Sequence, residues 1–251
     1  MEVEDRSLGL RLGVAGMLTP VVLVPLALLA ALVMGDWTPL ADMDTTVSLR
    51  LHSFAEQHPF WTVFAKVWSE VFGPMLLRVA ALVLVVWLIR RHRARQLALW
   101  VVVTMVTGGV LAALLKLLVG RDRPELLDPV ARAAGYSFPS GHAANAALTA
   151  GVFLLVLLPF ARERPGRRAL LWTVATVVTV VTGVCRVVLG VHFTSDVAAG
   201  WLLGVAVVAA TTVAFRLRDR RRRPAAVEGV EPELADGPPA GRPGVETPAA
   251  G

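Results

Sequence analysis

His192 and Asp196 are four residues apart, so a helix beginning there would put both on one face. A carboxylate on one ring nitrogen fixes the tautomer and frees the other nitrogen as an acceptor or nucleophile. By itself such a pair is also a common structural hydrogen bond, but Arg186 stands just ahead of it and adds a cation. Lys116 and Arg123 are seven apart, two helical turns, and project to one side, while Pro124 should end the helix that carries them. Two fixed cations at a helix end make a phosphate clamp, arginine by paired hydrogen bonds and lysine as a point charge. Ser140 is a good N-cap, and His142 falls in the first turn that follows, where free N–H groups and the positive dipole end attract an anion. Gly141 has no side chain to keep a phosphoryl oxygen from that backbone, and His142 is then placed to move a proton beside the anion.

The elements that must position these groups are long apolar blocks. Of the 251 residues, 55% are apolar, and mean hydropathy is +0.63. Uncharged blocks of about 18 residues or more mark membrane helices. Six spans are drawn: 13–34, 72–89, 97–119, 142–160, 169–189 and 193–215. The fold class is an all-α integral membrane protein, a six-transmembrane-helix bundle. Pro20 and Pro25 interrupt the first span, which packed membrane helices tolerate.

Net charge is +6, yet the only lysines are Lys66 and Lys116. The arginines gather between spans: Arg90, Arg91, Arg93 and Arg95; Arg162, Arg164, Arg167 and Arg168; Arg216, Arg218 and Arg220 to Arg223, with Arg6 and Arg11 ahead of the first. Six spans put every group on one side, which should be cytoplasmic, together with both termini. Nucleic-acid binding is not expected, because the basic residues follow the spans. The single cysteine, Cys185, excludes an intrachain disulfide, and no cleavable signal peptide is expected.

In domain terms, residues 1–12 are a cytoplasmic N-terminus, 13–217 a six-span domain, and 218–251 a basic and then disordered cytoplasmic tail. Outer loop 35–71 is expected to hold an amphipathic helix with Phe60, Trp61, Phe64, Val67, Trp68 and Val71 on one face and Thr62, Lys66 and Glu70 opposite, lying at the headgroup boundary or, equally, packed on the bundle. Asp36, Asp42 and Asp44 in that loop are read as solvated. Charges that intrude into spans default to functional candidates, and Arg78, Lys116, Arg186 and Asp196 do so near the outer ends, although Arg78 is equally an interfacial anchor. The topology comes from arginines elsewhere, yet it delivers all three chemical groups to the outer face.

The pattern Lys116-x6-Arg123-Pro124, then Pro139-Ser140-Gly141-His142, then Arg186-x5-His192-x3-Asp196 resembles the tripartite signature of the type 2 phosphatidic acid phosphatase superfamily. The resemblance covers residues from about 72 to 215, and Cys185 stands where the family usually has serine, a small buried side chain for another. It implies hydrolysis of a lipid phosphate monoester or diphosphate: His192 as nucleophile, Asp196 orienting it, and His142 as acid and then base. Lys116, Arg123, Arg186 and the backbone of Ser140 and Gly141 would bind the phosphoryl oxygens. Arg121, which the signature does not demand, is an accessory candidate.

Cations around His192 should lower its pKa and keep the nucleophile neutral. They also supply the neutralisation a metal would bring; metal-ligand spacing is absent, and no metal or cofactor is expected. The expected partners are the bilayer and a lipid phosphate such as phosphatidic acid, phosphatidylglycerol phosphate, diacylglycerol pyrophosphate or a polyprenyl diphosphate. The expected place is a bacterial plasma membrane, multi-pass, with the site extracytoplasmic. A phosphotransferase using the same intermediate and a silent lipid-binding or transport protein are the alternatives.

Overall fold

The computed structural model describes residues 20–126, 130–131 and 133–222, with side chains as far as Arg218. The expected N-terminal segment, the start of the first span and the tail beyond Arg222 lie outside the described residues. Helix α1 (Pro20–Met34) is followed by α2 (Thr38–Gln57), α3 (Pro59–Val71), α4 (Pro74–His92), α5 (Arg95–Val119), α6 (Gly141–Leu157), α7 (Pro165–Val188) and α8 (Thr194–Arg222). A 3-10 turn at Leu158–Ala161 follows α6. Proline stands in the first two positions of α2, α3, α4 and α7, where its missing N–H costs nothing.

Among the described residues five helical stretches are long and apolar enough to cross a membrane: Pro59–His92, Arg95–Val119, Gly141–Ala161, Pro165–Val188 and Thr194–Arg218. α1 and α2 bend through 90° at their junction and make a sixth if taken as one span. The expected spans two to six therefore lie on helices, and α8 runs on through its arginines beyond the expected end of span six. Leu82, Val83, Leu117 and Leu170 are among many large apolar side chains left on the outside. Contiguous apolar surface on this scale would drive association in water, whereas lipid solvates it.

The core lies between α4, α5, α6 and α8, around Leu88, Val101, Leu148, Val152 and Leu203. Small residues set the tightest approach. A Cβ on Gly200 would come within 2.7 Å of the Ser140 carbonyl, and one on Gly204 within 2.6 Å of Ala147, so α8 seats its glycines on the alanine-rich start of α6. Thr104 of α5 bonds Thr211 of α8 at 2.9 Å inside the bundle. α7 is joined to α3 through Ala65, Phe64, Trp68, Cys185 and Leu189, with Trp68 Nε1 donating to Thr182 Oγ1 at 3.0 Å.

The region expected as an outer loop is mostly helical, and its burial differs from the expectation. Phe64 and Trp68 of α3 turn inward, but Phe60, Trp61, Val67 and Val71 are exposed while Thr62 is buried. Thr62 can face inward because its hydroxyl donates to the Ala55 carbonyl at 2.7 Å. α2 packs Val47 and Leu51 against Val187 and Val197, at the end of the bundle where α6 begins and α7 ends. Its buried stripe is Leu40, Asp44, Ser48, His52 and Ala55, so Asp44 is not a solvated residue.

Candidate active site

Two left-handed glycines aim the chain at this end of the bundle. Gly120, at φ +62, closes α5 with its N–H on the Lys116 carbonyl and turns Arg121 to Arg123 back over the helix ends. Gly190, at φ +67, closes the turn after α7 and brings His192 in just ahead of α8. His192 thus precedes the helix instead of sharing a helical face with Asp196. A capping arrangement restores their proximity: Asp196 in the first turn of α8 accepts the Phe193 N–H on Oδ2 at 2.9 Å, and the same oxygen stands 3.5 Å from His192 Nδ1. Nδ1 has no closer partner among the described residues. Such pairs are often long without substrate and shorten when it binds.

The other ring nitrogen, Nε2, faces Arg123 Nη1 at 3.2 Å. An N–H on Nδ1 toward the carboxylate leaves Nε2 as the lone-pair nitrogen, directed at a cation. Arg123 also donates to the carbonyls of Val191 at 2.5 Å, Gly135 at 2.8 Å and Ala134 at 3.1 Å, and Lys116 donates to the Tyr136 carbonyl at 2.5 Å. The segment after Arg123 is therefore stitched to both Lys116 and Arg123 through its backbone.

Ser140 caps α6, its hydroxyl accepting the Ala143 N–H at 3.5 Å, and its own N–H donates to the Asp196 carbonyl at 2.9 Å. This bond ties the start of α6 to the start of α8. A Cβ built on Gly141 meets nothing within 4 Å, so the helix N-terminus opens onto free space. His142 lies against the backbone of Ser69, with His192, Arg186 and Arg123 in electrostatic reach. Arg186 is 9% exposed, and its Nε is buried without a hydrogen-bond partner among the described residues. It forms no ion pair there either; Glu70 acts on it only at longer range.

Lys116, Arg123, Ser140, Gly141, His142, Arg186, His192 and Asp196 thus share one end of the bundle. Arg121 belongs to the same cluster but turns away from the imidazoles. It donates to Asp196 Oδ1 at 2.8 Å, Ser195 Oγ at 2.7 Å and Asp44 Oδ2 at 2.9 Å. Sequence alone gives Asp44 only as a solvated loop residue and does not single out Ser195. The available signal was the interval of four joining Leu40, Asp44, Ser48 and His52, a stripe that is mostly polar and so invisible to a search for apolar faces. Arg78, in contrast, is committed to Asn145 Oδ1 at 3.2 Å on α6.

Burial is the largest influence on His192 and lowers its pKa from the ordinary 6.5 to about 4. Asp196 opposes the shift, while Arg123 and Arg186 add to it. The expected direction holds, with dehydration ahead of the cations as its cause. Burial also draws Arg123 below the usual guanidinium range, with Asp196 opposing. Among the described residues no three His, Cys, Asp or Glu side chains stand together as metal ligands.

A family model described as the PAP2 superfamily matches residues 97–220. The chain is 38% identical over 102 residues to phosphatidylglycerophosphatase B of Bacillus subtilis, covering 39% of this chain and 48% of that protein. It is 33% identical over 119 residues to an undecaprenyl-diphosphatase of Sulfolobus acidocaldarius, covering 45% and 52%. The chain spans about half the length of these curated relatives. The crystal structure of a transmembrane PAP2-type phosphatidylglycerolphosphate phosphatase from Bacillus subtilis superposes with a TM-score of 0.71 at 24% identity, over 82% of this chain and 99% of that one. That likeness carries the fold.

Proposed function

We propose that this chain, whose residues 97–220 match the PAP2 superfamily model, works as a member of that family and hydrolyses a lipid phosphate monoester or diphosphate through a phosphohistidine. Nε2 of His192 attacks phosphorus, a P–N bond forms, and the bond from phosphorus to the bridging oxygen breaks. His142 gives that oxygen its proton. Water then attacks the phosphohistidine while His142 takes a proton back, releasing phosphate and restoring both rings. Asp196 holds Nδ1–H throughout. Lys116, Arg123 and Arg186, with the N–H groups at the start of α6, bind the phosphoryl oxygens as charge moves onto them. These cations do the neutralisation that a metal does elsewhere, so the reaction needs none.

The observation that carries this reading is Arg186: a buried guanidinium with an unsatisfied Nε and no ion pair among the described residues, beside two imidazoles. A buried cation without an anion is costly, and a phosphoryl group supplies the missing charge. Both curated relatives carry names of enzymes acting on amphiphilic phosphates, which favours a lipid over a soluble ester. The arginines at the α4–α5 and α6–α7 junctions and at the end of α8 lie opposite the site by chain direction. On the positive-inside rule we read the site as lying on the outer face of the membrane, with both termini inside, and we take that membrane to be a bacterial plasma membrane. Residues 13–217 would make up the phosphatase domain, flanked by the cytoplasmic segments 1–12 and 218–251.

The test is phosphate release by purified protein from phosphatidic acid, phosphatidylglycerol phosphate, diacylglycerol pyrophosphate and undecaprenyl diphosphate, with and without excess EDTA. Free phosphate from at least one, undiminished by EDTA, is expected. Transfer of labelled phosphoryl to an alcohol without free phosphate would replace hydrolysis by phosphotransfer. No turnover of any of the four would overturn the reading.

A further inference from the structure

Asp196 has two oxygens with separate partners. Oδ2 serves the Phe193 N–H and His192 Nδ1; Oδ1 accepts from Arg121 at 2.8 Å. Arg121 in turn bridges to Asp44, whose Oδ1 accepts the Ser195 N–H at 3.0 Å and whose Oδ2 accepts Arg121 at 2.9 Å and contacts the Ser195 hydroxyl. The guanidinium lies 4.1 Å over the Phe193 ring, which closes its remaining face. Both carboxylates are 0% exposed. Two acids this deeply buried require charge compensation, and the one cation that forms ion pairs with them among the described residues is Arg121.

The geometry divides the labour among neighbouring cations. Arg123 faces the imidazole; Arg121, two residues earlier, faces acids. With Oδ1 held by Arg121, the Asp196 carboxylate plane is fixed and Oδ2 is left for the histidine. Asp44 holds Arg121 on its far side and also satisfies a first-turn N–H of α8, the helix that carries Asp196. Asp44 comes from α2, anchored by Val47 and Leu51 against Val187 and Val197.

We propose that Asp44, acting through Arg121, is a positioning residue that sets the carboxylate plane of Asp196 and thereby the tautomer and aim of His192. The proposal rests on His192 as nucleophile. Neither residue touches substrate. A purely structural clamp between α2 and the bundle is the competing account, and it leaves the tautomer of His192 untouched.

The test compares wild type, Asp44→Asn, Arg121→Lys and His192→Ala as full-length protein in detergent, on whichever lipid phosphate the wild type turns over. Asp44→Asn keeps an acceptor for the Ser195 N–H but removes the charge. It should lower kcat by about 10- to 100-fold, the scale known for losing the outer partner that orients a metal-bound histidine, with KM within about twofold because the phosphate-binding cations are intact. Nitrogen NMR of labelled histidine should show His192 passing from one tautomer to a mixture, and Asp44→Glu should recover part of kcat. Wild-type kcat and an unchanged tautomer in Asp44→Asn overturn the proposal, as does a rise in KM at constant kcat. If Asp44→Asn does not fold, Arg121→Lys must show the same fall in kcat and the same mixed tautomer. Loss of fold in both means a structural clamp and overturns it equally. Full activity in His192→Ala instead removes the parent reading, an outcome separate from all of these.

Discussion

Nη1 of Arg123 stands 3.2 Å from Nε2 of His192, so the nitrogen proposed to attack phosphorus faces a cation proposed to bind phosphate. A phosphoryl group that accepts a bond from Arg123 is thereby brought against the lone pair, and capture and attack become one placement. His192→Ala is expected to abolish the acid-labile phosphoenzyme and to lower kcat by at least about 10³-fold, since the ring nitrogen that forms the P–N bond is gone. Acid-quench labelling with phosphorus-32 lipid and size-exclusion of the variant check it. A normal phosphoenzyme in this variant rules the assignment out.

Arg186 is the buried cation of the cluster without an ion pair among the described residues. Arg186→Gln should cost about 10²- to 10³-fold in kcat/KM, the range seen when one donor to a developing oxyanion is lost. Arg186→Lys should recover only part, because a point charge cannot reproduce a planar fork. Orthovanadate, which takes up the shape of the transferring phosphoryl group, should lose affinity in parallel. Unchanged kcat/KM and vanadate inhibition in Arg186→Gln would mean that this guanidinium does not bind phosphate.

Folding lowers the pKa of His192 from 6.5 to about 4, chiefly by dehydration. The folded state therefore prefers the neutral ring. The stability linked to this group is complete above about pH 6.5 and falls away as pH drops through about 4. Carbon NMR of histidine-labelled protein, assigned by difference from His192→Gln, should give a midpoint near 4 for this ring. A midpoint at the ordinary value of about 6.5 would mean that the site is hydrated and that the nucleophile is half protonated close to neutral pH.

Glu125 is exposed on the segment between α5 and α6. The native Cys185 is buried and should stay silent. Glu125→Cys in spheroplasts is expected to react with an impermeant maleimide added from outside. Reaction only after lysis would place the site on the cytoplasmic face and reverse the orientation drawn from the arginines.

Much of the bundle was legible from the order of residues because its determinants are local. An apolar run long enough to span lipid must be a helix there, since every backbone group has to find its partner within the segment. Ser140 caps α6 with its own hydroxyl, and Gly120 takes the left-handed turn that ends α5. Within α8, Asp196 reaches back three residues to Phe193, a distance that primary structure contains. The eight residues, named from short contiguous motifs and the resemblance those motifs carry, are brought to one end of the bundle by these local elements.

Asp44 could not be named in this way. It reads as one polar residue among threonines, and only the 90° bend between α1 and α2 brings it to Ser195, 151 positions away. The different fates of Arg121 and Arg123 are of the same kind. Their side chains are identical in type and nearly adjacent, yet one is claimed by two buried carboxylates and the other faces an imidazole. Helix formation and transfer into lipid follow from residue type and short-range spacing. Charge pairing follows from separations of a few ångströms between segments far apart in the chain, so the choice of which arginine pairs with acids and which faces the imidazole belongs to the packing of α2, α5 and α8.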